Sequence, residues 1–425
     1  MLRINLADSQ RYCDGVSRRS FLALGTLGIG GLTLADLYRA EAAGSGSSHK
    51  AVINIHLSGG PSHQDMWDLK PDAPSEYRGE FNPIKTNVPG MDICEHFPQL
   101  AKMADKFAVI RSLVGSNAGH SNDQTHTGFN RKSMANIGGR PSIGSVVARL
   151  QGATPSGAPP FVSYNGGAFG YLGPIYKGFS PNDAKNVLRL QRGLTVDRLS
   201  ERTSLLSSLD NIRRDIDSSG QLEALDSYTI RAYEMVTSGE VANALDLKQE
   251  KADIVDRYGS SNKNLLIARR LIQAGVRVIT MNGPWGGWDT HSNNFVTLRK
   301  NLPKMDQGLA ALIWDLQRCD MYSDVSIVVW GEFGRTPRVN TKAGRDHWPR
   351  LAGAFMAGGN MRTGQVVGSS SRKAEYAKDR PVDYQEVLAT LYHNLGIDTV
   401  STTITDRNGR PQYLLDYRDP ISELV

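Results

Sequence analysis

Five stretches of this 425-residue chain concentrate the side chains that do chemistry. SGGPSHQDMWD holds His63, Asp65 and Asp68, and GHSNDQTHTG holds His120, Ser121, Asp123, Thr125 and His126. GPWGGWDTHSNN holds Asp289 and His291, GEFGRTP holds Glu332 and Arg335, and GRDHWP holds Asp346 and His347. Imidazole with carboxylate is the ligand set of zinc, manganese and similar ions, whereas an all-oxygen set suits calcium or magnesium. A single Asp-x-His loop is more often a capped turn with a solvated histidine, and Asp346 can simply orient His347. Glu332 is harder to dismiss, because it directly follows the apolar run Val325–Trp330. It should sit at a buried sheet edge, where an unpaired charge is costly. Arg335 neutralising it in a structural ion pair is the competing reading. Taken together, the five loops point to a shared cation site.

The elements that must position these loops alternate along the chain. Apolar runs predict strands over Ala51–Leu57, Phe107–Ser112, Val276–Met281, Val325–Trp330 and Ala352–Met356. The first two precede loops one and two, the third precedes the Asp289 loop and the fourth runs into Glu332. The GRDHWP segment lies just before the fifth. Phe295, Leu298, Leu302, Met305, Leu309, Leu312 and Leu316 recur at steps of three and four, predicting a long helix with Pro303 as a kink point. Shorter helices are expected at Ser142–Leu150, Asn264–Gln273 and Tyr384–Leu395. Residues 113–175 read as mostly loop, and about 184–274 as a helical insertion. Strands alternating with helices predict an α/β fold with a mainly parallel sheet and helices on both faces. In such sheets ligands gather beyond the carboxyl ends of the strands.

The N-terminus reads as an address label. Ser17-Arg18-Arg19-Ser20-Phe21-Leu22 is a paired-arginine signal, followed by a Gly-rich apolar stretch and the small-x-small pattern Ala40-Glu41-Ala42. Residues 1–42 are therefore expected to be a twin-arginine signal peptide, and 43–425 an exported domain, periplasmic or extracellular. No later apolar run reaches membrane-spanning length. The formal charge of +6 is scattered without a long basic run, which argues against a nucleic-acid partner. Cys94 and Cys319 lie beyond the leader and either pair or stay buried as thiols.

The leader, HLSGGPSHQD, WDTHSNN, GEFGRTP and GRDHWP together resemble the bacterial DUF1501 family, which is grouped with the alkaline phosphatase and sulfatase superfamily. The resemblance covers nearly the whole chain after the leader and implies an alkaline-phosphatase-like sandwich. It implies metal ligands at Asp65, Asp289, His291, Glu332 and His347, with Asp346 as ligand or orienting group. The superfamily's histidine after the second carboxylate is replaced here by Phe333. Its nucleophile falls in the region of Ser121 or Thr125, flanked by His120 and His126, which imply either extra ligands or a lost nucleophile.

The function implied is hydrolysis of phosphate, phosphonate or sulfate esters, on a small molecule or glycan. One or two divalent ions, zinc or manganese before calcium or magnesium, would activate a hydroxyl or water, with Arg335 stabilising developing charge. The formylglycine route needs Cys or Ser, any residue, Pro, any residue, Arg. No such run occurs, since Cys94 is followed by Glu-His-Phe-Pro. The rival reading is a non-catalytic metal- or carbohydrate-binding protein on the same fold. Trp67, Trp285, Trp288 and Trp348 offer a sugar platform in either case, although ordinary packing explains them better.

Overall fold

The computed structural model describes residues 49–181 and 240–425. The leader and residues 184–239 of the expected insertion lie outside the described residues. Eight strands build the central sheet: β1 (Ala51–His56), β2 (Phe107–Val114), β3 (Phe161–Ser163), β4 (Val278–Asn282), β5 (Val325–Trp330), β6 (Ala352–Gly358), β7 (Gln365–Val367) and β8 (Val382–Asp383). Their order is β7-β2-β6-β5-β1-β4-β3, with β8 beside β7 along the same edge of β2. Every pairing is parallel except the two that β6 makes with β2 and β5. The expected α/β fold with a mainly parallel sheet is therefore the one observed.

β1 shows why the sheet is buried on both faces. Ala51, Ile53 and Ile55 enter one apolar cluster and Val52 the opposite one, as the two-residue period of a strand requires. The first cluster is closed by Lys263–Gln273 and by a 25-residue helix, Asn294–Arg318, that is continuous through Pro303. The predicted stripe from Phe295 to Leu316 is the face this helix buries. Ile143–Leu150 and Tyr384–Asn394 close the second cluster. The latter starts on a reciprocal cap in which Asp383 accepts from Gln385 N–H and Glu386 accepts from Asp383 N–H. From Glu240 onward the expected insertion packs its helices into the first cluster, so that part is a layer of the main body.

Register fixes the working edge. His56, the last residue of β1, pairs with Asn282 at the end of β4 and Trp330 at the end of β5. Leu113 near the end of β2 pairs with Ala352 at the start of β6. The reversed direction of β6 thus puts the segment before it at the rim where the other strands finish. Gly334–Arg335 pairs with His347–Trp348 above that rim, Arg335 opposite His347. Both Cys94 and Cys319 are free thiols. No helix among the described residues is long and apolar enough to cross a membrane.

Candidate metal centre

The Ser58–Pro61 turn beyond β1 is the foundation. Gly59 and Gly60 have φ of +109° and +69°, and a side chain on Gly60 would run into the Phe333 ring. Their N–H groups donate to Glu332 Oε1 at 2.8 Å and Oε2 at 3.2 Å. Their carbonyls accept from Arg335, whose guanidinium also donates to the Arg345 carbonyl and to Asp289 Oδ1. Arg335 is fully buried and ties four loops together. Its ion-pair partner is Asp289, not Glu332.

Asp289, His120, His291 and His347 converge above this platform. Each ring has an acceptor at Nδ1: Glu332 Oε1 at 3.0 Å for His120, Asp346 Oδ1 at 2.6 Å for His291, and the Ala118 carbonyl at 3.1 Å for His347. A neutral imidazole that donates from Nδ1 presents a bare lone pair at Nε2. Those lone pairs gather at the Asp289 carboxylate. His291 Nε2 and His347 Nε2 are 3.1 Å apart, each 3.1 Å from Asp289 Oδ1, and His120 Nε2 is 3.4 Å from Asp289 Oδ2. Ligand atoms about 2.0 Å from a tetrahedral ion stand ~3.3 Å from each other. Ligand atoms of His120, Asp289 and His347 all lie within 4.8 Å of one another. The donor set and its spacing fit a cation such as zinc, and a metal ligand's carboxylate partner at the other ring nitrogen is the usual orienting arrangement.

Charge in the cluster is strongly biased. Burial works to raise the Asp289 pKa, but the hydrogen bond and the charge of Arg335 overcome it, holding the carboxyl at about 2. The hydrogen bond from His291, aided by the bond from Asn340, likewise holds Asp346 below its ordinary value against partial burial.

The other expected residues sit elsewhere. Glu332 stands behind His120 and Asp346 behind His291. Asp65 is buried away from the cluster, where Arg345 grips both its oxygens at 2.8 Å and Ser62 and Asn294 donate to it. Through Arg345 it anchors the segment carrying Asp346 and His347. His126 is buried, its pKa pushed down to about 3 by desolvation and by the nearby His56 charge. Thr125 is fully buried, with Oγ1 3.0 Å from His56 Nδ1. Ser121 Oγ donates to Asp123 and lines a cavity of about 430 Å³ that also touches His120. Trp67, Trp285 and Trp288 are buried in the core, so they pack rather than form a platform.

His56 was not singled out by the sequence. Its Nε2 lies 3.5 Å from Glu332 Oε2, so this buried carboxylate carries two imidazoles and two backbone donors. The available signal was Asn54 and His56 at alternate positions of an otherwise apolar strand, both on the face that meets Thr125.

No curated protein matches the sequence. Among solved structures, the chain is similar to Ps i-CgsB at 11% identity and a TM-score of 0.36, covering 82% of this chain and 72% of that one. It is also similar to that protein's complex with k-i-k-neocarrahexaose, at 10% identity and a TM-score of 0.34 over 82% of this chain and 72% of that one. PsFucS1 sulfatase from Pseudoalteromonas sp. aligns at 11% identity and a TM-score of 0.40, covering 92% of this chain and 73% of that one. Likeness at this level says nothing about what the chain acts on. Residues 49–425 match the family described as protein of unknown function DUF1501, and the chain belongs to that family.

Proposed function

We propose that this protein is an exported, metal-dependent hydrolase of phosphate, phosphonate or sulfate esters with an alkaline-phosphatase-like architecture. The carrying observation is the convergence of Nε2 atoms from His120, His291 and His347 on the Asp289 carboxylate, each ring fixed from behind. The histidine-rich donors favour zinc or manganese over calcium or magnesium. A divalent cation held there supplies Lewis-acid charge and lowers the pKa of a coordinated oxygen.

The chain's own residues do the rest. Glu332 and Asp346 hold the tautomers of His120 and His291, and Arg335 fixes Asp289. Of the two expected hydroxyls, Ser121 faces the cavity with His120, whereas Thr125 has no exposed surface. Ser121 is therefore the nucleophile this geometry favours, with water as the alternative. Asp123, accepting from the Ser121 hydroxyl, would take its proton as that oxygen bonds phosphorus or sulfur, pass it to the departing ester oxygen, and leave the serine ester to be cleaved by water. The paired arginines Arg18 and Arg19 support export.

One observation favours the non-catalytic alternative. Phe333 occupies the place of a second-metal histidine, fully buried, with its ring 4.3 Å from that of His347. Elemental analysis of the purified protein, then turnover of aryl phosphate and sulfate esters, separates the two readings. The hydrolase reading expects bound metal and activity that Asp289→Ala and His347→Ala abolish. Metal without turnover over a broad ester panel leaves a binding protein, and no metal sinks the hydrolase and leaves carbohydrate binding alone.

A further inference from the structure

Next to the cluster the 430 Å³ cavity is bounded by Asn117, His120, Ser121, Asn130, Arg131 and Lys132 among others. A second cavity of about 270 Å³ adjoins it, sharing Asp123, Asn130 and Arg131. The side chains on the walls are amides, a hydroxyl, an imidazole, cations and the Asp123 carboxylate. Most arginines near the site are engaged: Arg335 with Asp289, Arg345 with Asp65, and Arg140 over the Phe129 ring at 4.0 Å with a bond to the Tyr413 carbonyl. Arg131 and Lys132 are exposed and have no ion-pair partner among the described residues. The one carboxylate of the cavity, Asp123, already accepts from Ser121.

We infer that this groove binds a polyanionic oligosaccharide, with Arg131 and Lys132 taking a sulfate or phosphate on the sugar next to the ester being cleaved. It rests on reading the cluster as a hydrolytic site, since His120 and Ser121 form the wall shared by both. The amides of Asn117 and Asn130 suit sugar hydroxyls, which need paired donors and acceptors. Guanidinium and ammonium suit the charged substituent, the former as a fork and the latter as a point charge. The two cavities reach the size that encloses more than one small ring. A lone small ester would leave both cations unused.

The full chain, with chelator present so that nothing turns over, is titrated calorimetrically with a heparin-derived hexasaccharide, its desulfated and carboxyl-reduced counterpart and a pentamannose phosphate. The desulfated chain should bind at least tenfold more weakly than an anionic probe, and the better anion identifies the substituent. Arg131→Ala with Lys132→Ala should weaken anionic binding about 10- to 100-fold, while Arg131→Lys with Lys132→Arg largely restores it. Unaltered melting of both variants excludes misfolding. Equal affinity for the desulfated chain, or a change under twofold in the alanine variant, overturns the inference. Charge-dependent binding without ester turnover in the metal-loaded protein removes the hydrolase reading and keeps the groove; turnover with charge-independent binding does the reverse.

Discussion

Glu332→Gln isolates the orienting role of a residue that never touches the proposed ion. The carboxylate receives three donors, Gly59 N–H, Gly60 N–H and His120 Nδ1 at 3.0 Å, with His56 Nε2 3.5 Å away. An amide keeps one acceptor oxygen and turns an NH₂ toward two of those donors. His120 then has reason to donate from Nε2 instead, which removes its lone pair from the cluster. Loss of such a partner behind a metal-bound imidazole typically lowers affinity 10- to 100-fold, or about 1.4–2.8 kcal/mol. The unsatisfied donors should also reduce folding stability by about 1–3 kcal/mol. Competition with a chromogenic zinc chelator measures the first quantity and urea unfolding the second. The decisive comparison is a double-mutant cycle with His120→Ala. If Glu332 acts through His120, its substitution should have almost no further effect on zinc affinity once that ring is gone. A full-sized effect of Glu332→Gln on the His120→Ala background, or no effect on the intact chain, would refute the reasoning.

Other outcomes follow from the same structure. Arg345→Ala leaves Asp65 buried and uncompensated, so stability should drop by about 3–5 kcal/mol in urea unfolding, with zinc affinity falling because the His347 segment is released. Gly60→Ala combines a positive φ with a clash against Phe333, and thermal unfolding should show a loss of about 2–4 kcal/mol. Asp306 is pushed up to about 6 by burial, which outweighs the backbone N–H bonds from Gln99 and Leu100. A raised carboxyl pKa means the folded state holds its proton more tightly, so this contribution is present below pH 4 and lost as pH rises through about 6. Asp306→Asn should therefore flatten the decline in stability between pH 4 and 6, and an unchanged slope counts against it. Zinc at 100 times its dissociation constant should stabilise the protein by about 2.7 kcal/mol, and chelation should reverse the shift in melting.

Much of the scaffold was legible because burial on both faces writes strands as unbroken apolar runs. Val325–Trp330 matches the expected bounds, and the stripe from Phe295 to Leu316 is the buried helix face. Phe161–Ser163, Gln365–Val367 and Val382–Asp383 were not anticipated, since two or three residues carry no periodicity. The ligand types were readable from composition of the loops, but not which of them would meet. That depends on strand order: β1 lying between β4 and β5 brings Gly59, Asp289 and Glu332 to one place, and pairing order leaves no local trace. Asp65 shows the limit most clearly. Its neighbours His63 and Asp68 read as site chemistry, yet its partner Arg345 is 280 residues away.

The reversed strand β6 has a further consequence. Gly331 to Leu351 leaves the sheet and returns to it on the adjacent track, with no helix to cross. Glu332, Arg335, Arg345, Asp346 and His347 all ride on that one excursion. The backbone that carries these five residues is thus framed by one antiparallel strand pair, and its side chains lock only when Gly59, Gly60, Asp65 and Asp289 arrive from elsewhere in the chain.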